Sequence, residues 1–232
     1  RATQCPASVM HAVEQALLDL LASRRSTTVC ALLGGVTDAL PYHALISDPW
    51  SAQLAIARGA AAIKVKVGGG HDALQGVQAI RDAVGPQVQL HLDVNGGWSL
   101  EEALDHLPQL EALGVALIEE PLAERDLLGM AQLCQATAIV IAADESCRTA
   151  ADLDAILALG AADAVVLKPM LIGGVLRTSA LAHRAAEAGK EVIITHCLDG
   201  PLGQASALLA GRLCPQGALR TVSHEAAMPG EV

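Results

Sequence analysis

The sequence predicts an α/β fold, a TIM-type (β/α) barrel, and three observations lead there. Short Val/Ile/Leu/Ala runs alternate seven times with longer helical segments across short connections. The runs are dominated by apolar residues, as expected of strands buried on both faces of a parallel sheet. Six consecutive runs end on a reactive side chain: Lys66, Asp93, Glu119, Asp144, Lys168 and His196, at spacings of 27, 26, 25, 24 and 28 residues. An open doubly wound sheet also alternates, but it gathers its site at one switch point. One polar group at every strand's C-terminal end is the layout of a barrel mouth.

The elements follow in order. "SVMHAVEQALLDLLA" (8–22) reads as a helix with a strong apolar face. After a Gly-rich break, "YHALIS" (42–47) is a strand and "PWSAQLAIARGA" a helix. In "AIKVKV" (62–67), Ile63, Val65 and Val67 alternate with Lys64 and Lys66, so period two puts both lysines on one side. "DALQGVQAIRDAV" is the helix that follows. "VQLHLDVN" leads to "SLEEALDHLPQLEAL", with Ser99 as N-cap, and "ALIEEP" leads to "DLLGMAQLCQ". "AIVIAADES" precedes "TAADLDAILALG", "DAVVLKP" precedes "GGVLRTSALAHRAAEAG", and "EVIITHC" precedes "GQASALLAGRL". The glycine runs at 68–70 and 173–174 match neither a dinucleotide nor a P-loop pattern and read as turns.

Composition narrows the function. Of 232 residues, 52% are hydrophobic, Phe is absent and Tyr42, Trp50 and Trp98 are the only aromatics, so the core is Ala, Leu, Val and Ile packing. A formal net charge of -10 argues against a nucleic-acid or anionic-membrane partner. No apolar run reaches the length of a membrane span, and no signal peptide stands out. The six cysteines show no paired spacing, which fits reduced thiols in a cytoplasmic protein.

The strand ends suggest a chemistry. Asp93, Glu119 and Asp144 follow one another on consecutive strands, and converging carboxylates repel unless a cation lies between them. Oxygen ligands without Cys or paired His favour Mg²⁺, with Mn²⁺ second. Lys66, nearest the mouth, is a candidate proton-transfer base, and Lys64 beneath it a like charge that lowers its neighbour's pKa. Lys168 lies on the far side of the barrel.

The motifs "KVK" (64–66), "DVN" (93–95), "IEEP" (118–121), "ADES" (143–146) and "LKP" (167–169) resemble those of the enolase superfamily, within its muconate lactonizing enzyme subgroup. The resemblance implies a (β/α)7β-like barrel with most of an N-terminal capping domain missing. Residues 1–40 would be a linker helix from the cap, 41–215 the catalytic barrel and 216–232 a truncated C-terminal segment. On that expectation the barrel is open at its last unit, its exposed edges favour self-association into a homo-oligomer, and the uncapped chain has little activity. The resemblance also implies a small-molecule carboxylate substrate whose α-proton is removed to give an enediolate held by Mg²⁺. Asp93, Glu119 and Asp144 would be ligands, Lys66 and Lys168 would face opposite sides of the α-carbon, and Asn95 and Glu120 would support the metal. The sixth strand carries Lys168 where a His–Asp dyad would need Asp, so His196 is expected to hydrogen-bond or contact substrate rather than act as a base. Asp199 and Gly200 lie at the same mouth, and Trp98 is expected to pack.

Three activities of the subgroup compete: o-succinylbenzoate synthase, dipeptide epimerase and muconate cycloisomerase. The tail "CPQGALRTVSHEAAMPGEV" lacks the Asp-x-Asp pair with which the epimerases hold a substrate ammonium. The segment "VVLKPMLIGG…VIITHCLDGPLGQASALLA" is most similar to the synthases of menaquinone biosynthesis. An inactive barrel fragment or scaffold is the non-enzymatic alternative.

Overall fold

The computed structural model describes residues 5–68, 74–214 and 221–225. Two helices, α1 (Ala7–Arg24) and α2 (Val29–Leu32), precede the barrel. Eight parallel strands then close in sequential order: β1 (Tyr42–Ile46), β2 (Ala62–Lys66), β3 (Gln89–Asp93), β4 (Val115–Glu119), β5 (Val140–Ala143), β6 (Ala164–Leu167), β7 (Glu191–Ile194) and β8 (Thr221–Glu225). The first five are followed by α3 (Pro49–Ala57), α4 (Gln75–Val84), α5 (Leu100–Ala112), α6 (Leu127–Ala136) and α7 (Ala150–Leu159). A single turn, α8 (Pro169–Ile172), and then α9 (Val175–Glu187) follow β6, and α10 (Pro201–Leu213) follows β7. This is the expected (β/α)7β architecture. Gly69 and Gly70 of the first glycine run lie outside the described residues.

Local chemistry starts the helices where the sequence suggested. Ser99 accepts from the Glu102 N–H while the Glu102 carboxylate accepts from the Ser99 N–H, which fixes the start of α5. Asp48 caps α3 with a similar box, and the Asp126 and Thr149 side chains cap α6 and α7 by accepting from the Gly129 and Asp152 N–H groups.

Two expectations are corrected. The barrel is not open: β8 pairs with β7 through Ile193↔Thr221 and with β1 from Tyr42↔Val222 to Leu45↔Glu225. The barrel therefore runs past residue 215, into the segment expected to lie outside it. A five-residue strand closes the ring by backbone pairing, without the long apolar run by which the other strands were recognised. The second correction concerns α1. Its barrel-facing positions are His11, Glu14, Gln15, Leu18 and Ala22, whereas Val9, Val13, Leu17, Leu20 and Leu21 face outward and are exposed. Polar side chains bond this helix to the barrel: His11 Nε2 lies 2.8 Å from Ser206 Oγ, and Gln15 donates to the Leu202 carbonyl at 2.9 Å. Among the described residues no helix is long and apolar enough to cross a membrane, and all six cysteines are free thiols.

The core has two compartments. Outward-facing strand residues such as Ile63, Leu92, Ile118 and Val165 pack with the helices in one large aliphatic layer. Inside the barrel, Leu117, Ala142, Ala164, Val166 and Ile193 form a separate cluster on β4–β7. The interior of β1–β3 is polar instead, with His43, Lys64, His91 and Asp93 all buried. His43 and His91 meet edge to face with ring centroids 4.5 Å apart. Burial and the Lys64 charge lower the His43 pKa to about 4; burial, His43 and Lys64 lower that of His91 to about 3.

At the opposite end of the barrel, the buried Arg81 guanidinium donates to four carbonyls. Nε reaches Leu113 at 2.8 Å, Nη1 reaches Gly85 at 2.7 Å and Val88 at 2.8 Å, and Nη2 reaches Gly114 at 3.0 Å. One side chain thus fastens the turns that enter β3 and β4.

We expect Arg81→Met to lower stability by about 2–4 kcal/mol in urea denaturation, because four carbonyls lose their donor. A loss below about 0.5 kcal/mol would mean that water replaces the clamp. A second expectation follows from His43. Its folded pKa lies below its unfolded value, so it contributes stability above about pH 6.5 that is lost as pH falls towards 4. Wild-type stability should therefore fall with acid more steeply than that of His43→Gln, by up to about 1.4 kcal/mol per pH unit. Parallel stability profiles for the two proteins would refute a neutral buried His43.

Candidate active site

A cavity of about 260 Å³ opens at the C-terminal ends of the strands. Lys64, Lys66, Asp93, Asn95, Lys168 and His196 all line it, so most of the side chains singled out in the sequence meet there. The period-two reading of β2 holds, with Lys64 buried and Lys66 exposed one pleat nearer the mouth. Lys168 comes from the opposite side of the ring, four strands away.

Asp93 is in register with Lys66, and Glu119 with Asp93. Lys64 Nζ is 3.0 Å from Asp93 Oδ2, and 2.9 and 3.0 Å from the two Glu119 oxygens. Burial opposes its charge, but Glu119 and Asp93 outweigh burial and hold its pKa above the ordinary lysine range. Lys168 pairs with Asp144 Oδ2, and there too the carboxylate outweighs burial and raises the lysine pKa. Burial and the nearby Glu119 charge push Asp144 up to about 6 against the pull of Lys168. Lys64 is thus ion-paired to both Asp93 and Glu119, rather than the bare like charge beneath Lys66 that the sequence suggested.

Among the described residues, no group of three His, Cys, Asp or Glu side chains is arranged to hold a metal ion. The Lys64 ammonium separates Asp93 from Glu119, and that of Lys168 occupies Asp144. The donor set still fits a hard divalent cation. All three are buried oxygen donors, Asp93 Oδ1 has no hydrogen-bond partner among the described residues, and the Glu119 charge raises Asp144.

Glu120 and Asn95 both adopt left-handed backbone, with φ of 39° and 48°, where their strands turn into loops. Glu120 does not face the cavity. Its carboxylate accepts from the Asp144 N–H at 2.8 Å and from the Ser146 hydroxyl, so it fixes the loop that carries Asp144. Burial raises its pKa, offset in part by those donors. The Asn95 amide donates to Glu145 Oε1 at 3.3 Å. Asp199 turns into its own loop, accepting from the Cys197 N–H at 3.2 Å, and does not line the cavity. Trp98 is buried and packs on His106, as expected of a packing residue.

Sequence reasoning missed Leu45, Glu145, Thr195, Cys197 and Leu198, which also line the cavity. Glu145 stands inside the "ADES" motif, but the chain has left β5 by then and strand periodicity no longer says where it points. Thr195 and Cys197 flank His196 under the same difficulty. Burial raises the Cys197 pKa, which keeps it a neutral thiol and a poor nucleophile.

A family model described as "Enolase C-terminal domain-like" matches residues 50–229. The L-Ala-D/L-Glu epimerase of Bacillus subtilis is 32% identical over 206 residues, covering 84% of this chain and 56% of that protein. An o-succinylbenzoate synthase of Mycobacterium bovis is 35% identical over 205 residues, covering 84% of this chain and 60% of that protein. The dipeptide epimerase of Cytophaga hutchinsonii, solved with Mg and the dipeptide D-Ala-L-Val, superimposes with a TM-score of 0.83 at 28% identity, covering 94% of this chain and 61% of that one. The chain thus spans less than two thirds of the length of these relatives. Barrel, strand-end residues and family model agree: the chain belongs to the enolase C-terminal domain-like family of the enolase superfamily.

Proposed function

We propose that this chain is the catalytic barrel of a Mg²⁺-dependent enzyme that removes the α-proton of a small carboxylate substrate through an enediolate. Within that class we propose the dehydration that forms o-succinylbenzoate in menaquinone biosynthesis. The observation that carries the reading is the pair Lys66 and Lys168, four strands apart yet lining one cavity together with Asp93.

Asp93, Glu119 and Asp144 would hold the Mg²⁺, and Mn²⁺ suits the same oxygen set. Bound there, the ion would supply positive charge beside the substrate carboxylate. The charge count supports the need for it. Lys64, Lys66 and Lys168 face Asp93, Glu119, Asp144 and Glu145, so the site has no surplus positive charge for an enediolate dianion. Lys66 takes the α-proton, and the C–H electron pair moves into the enediolate. Its collapse forms the new C=C bond and expels hydroxide, which leaves as water with the proton from Lys66. Lys168 stabilises the developing charge from the other side. Asn95 and Glu120 hold the loops behind the carboxylates, and His196 offers hydrogen bonding at the rim. Asp199 is left with a loop-forming role.

Dipeptide epimerisation is the second reading, favoured by the 32% identity to the Bacillus subtilis epimerase. Against it stands the tail beyond α10, whose sequence has no Asp-x-Asp pair.

With a substrate deuterated at the α-carbon, Lys66→Ala should slow exchange by about 10²–10⁴-fold. Exchange at the wild-type rate would remove Lys66 as the base. EDTA should abolish turnover and Mg²⁺ restore it. Offered a cyclohexadiene precursor of o-succinylbenzoate, a dipeptide and a muconate, the protein should dehydrate the first. Epimerisation of the dipeptide with the cyclohexadiene untouched would overturn the synthase assignment and keep the proton chemistry.

A further inference from the structure

Helix α9 begins without a cap of its own. Its N-cap is Gly174, which has no side chain, and its first turn holds no acidic residue. The first N–H groups of such a helix need an acceptor, and its positive end favours a carboxylate. Glu14 supplies both from α1, 161 residues away: its Oε2 accepts from the Val175 N–H and, at 3.4 Å, from that of Leu176. The Gly173–Gly174 turn accommodates this approach. Both glycines have positive φ, 99° and 135°, and a Cβ at 174 would overlap the Glu14 carboxylate.

The same turn is bonded back to Lys168. The Lys168 carbonyl accepts from the N–H groups of Leu171 and Ile172, both at 3.0 Å. The Pro169 carbonyl accepts from Gly173 and Gly174, both at 2.9 Å. The Gly174 carbonyl accepts from the buried Thr178 hydroxyl at 2.7 Å. Between Lys168 and Thr178 the backbone is therefore a continuous bonded turn, with the Lys168 side chain in the cavity at one end and the Glu14 carboxylate at the other.

We propose that Glu14 is a positioning residue: by capping α9 it fixes the Gly173–Gly174 turn and, through α8, holds Lys168 against the cavity. The inference rests on the reading of Lys168 as a group that faces substrate, and it makes the docking of α1 part of the site's construction.

The test compares Glu14→Ala and Glu14→Gln with Gln15→Ala. Gln15 lies on the same face of α1, and its bond to the Leu202 carbonyl leads to α10 rather than to Lys168. The first readout is independent of activity: the rate of reductive methylation of each lysine, followed by mass spectrometry. Glu14→Ala should speed modification of Lys168 several-fold and weaken hydrogen-exchange protection at Val175 and Leu176. Gln15→Ala should change neither, even if it costs similar stability. Glu14→Gln, which keeps an acceptor oxygen, should fall between wild type and Glu14→Ala, and it serves alone if the alanine variant does not fold. The second readout is turnover of whichever substrate the wild type accepts, where kcat should fall about 10–100-fold in Glu14→Ala with KM little changed. Unaltered Lys168 labelling in both Glu14 variants, or an equal rise in Gln15→Ala, would overturn the proposal. Altered labelling in a protein that turns over none of the substrate classes would sustain the positioning role and refute the function proposed above.

Discussion

Three carboxylates are buried inside the ring of strands, and their charge must be offset. Asp93, Glu119 and Asp144 are all at most 3% exposed, and an uncompensated charge at such a depth costs several kcal/mol. Lys64 is shared between Asp93 and Glu119, and Lys168 pairs with Asp144, so two ammonium groups offset two of the three negative charges. Much of the interior follows from this pairing. The Lys64 charge helps keep His43 and His91 neutral beneath it. On β4–β6 the paired groups stand at the strand ends, Glu119, Asp144 and Lys168, with Leu117, Ala142, Ala164 and Val166 deeper on the same strands. Glu120 then serves the backbone that carries Asp144, not the cavity itself.

The same pairing bears on cofactor chemistry. An ammonium and a divalent cation satisfy the same carboxylates, so the two compete for them. On the function proposed above, metal uptake would free Lys64 and Lys168 from the carboxylates that pair with them.

Much of this was legible in the sequence, wherever a residue sat on a regular element. Period two put Lys64 and Lys66 on one side of β2, and the even spacing of strand ends distinguished a closed ring from an open sheet. Ser99 announced the start of α5. Legibility failed where the chain leaves regular structure or where packing overrides pattern. Glu145, Thr195 and Cys197 stand just beyond strand ends, and Asp199 bends into its own loop. The short β8 carries no long apolar run and is secured by its neighbours' backbone. The apolar periodicity of α1 correctly marks a helix but misidentifies its buried face, because that helix is fastened through His11, Glu14 and Gln15. The pairing of the carboxylates with lysines depends on side-chain reach, which strand-end spacing does not encode.

The Arg81 clamp lies at the end of the barrel remote from the cavity. Its four carbonyl partners come from the backbone, so they persist whatever side chains those positions carry. The Arg81 clamp and the candidate site thus lie at opposite ends of the barrel. Residues at the mouth are free to drift towards new substrates without eroding the scaffold, a division of labour that makes such a barrel readily evolvable and a serviceable starting point for redesign.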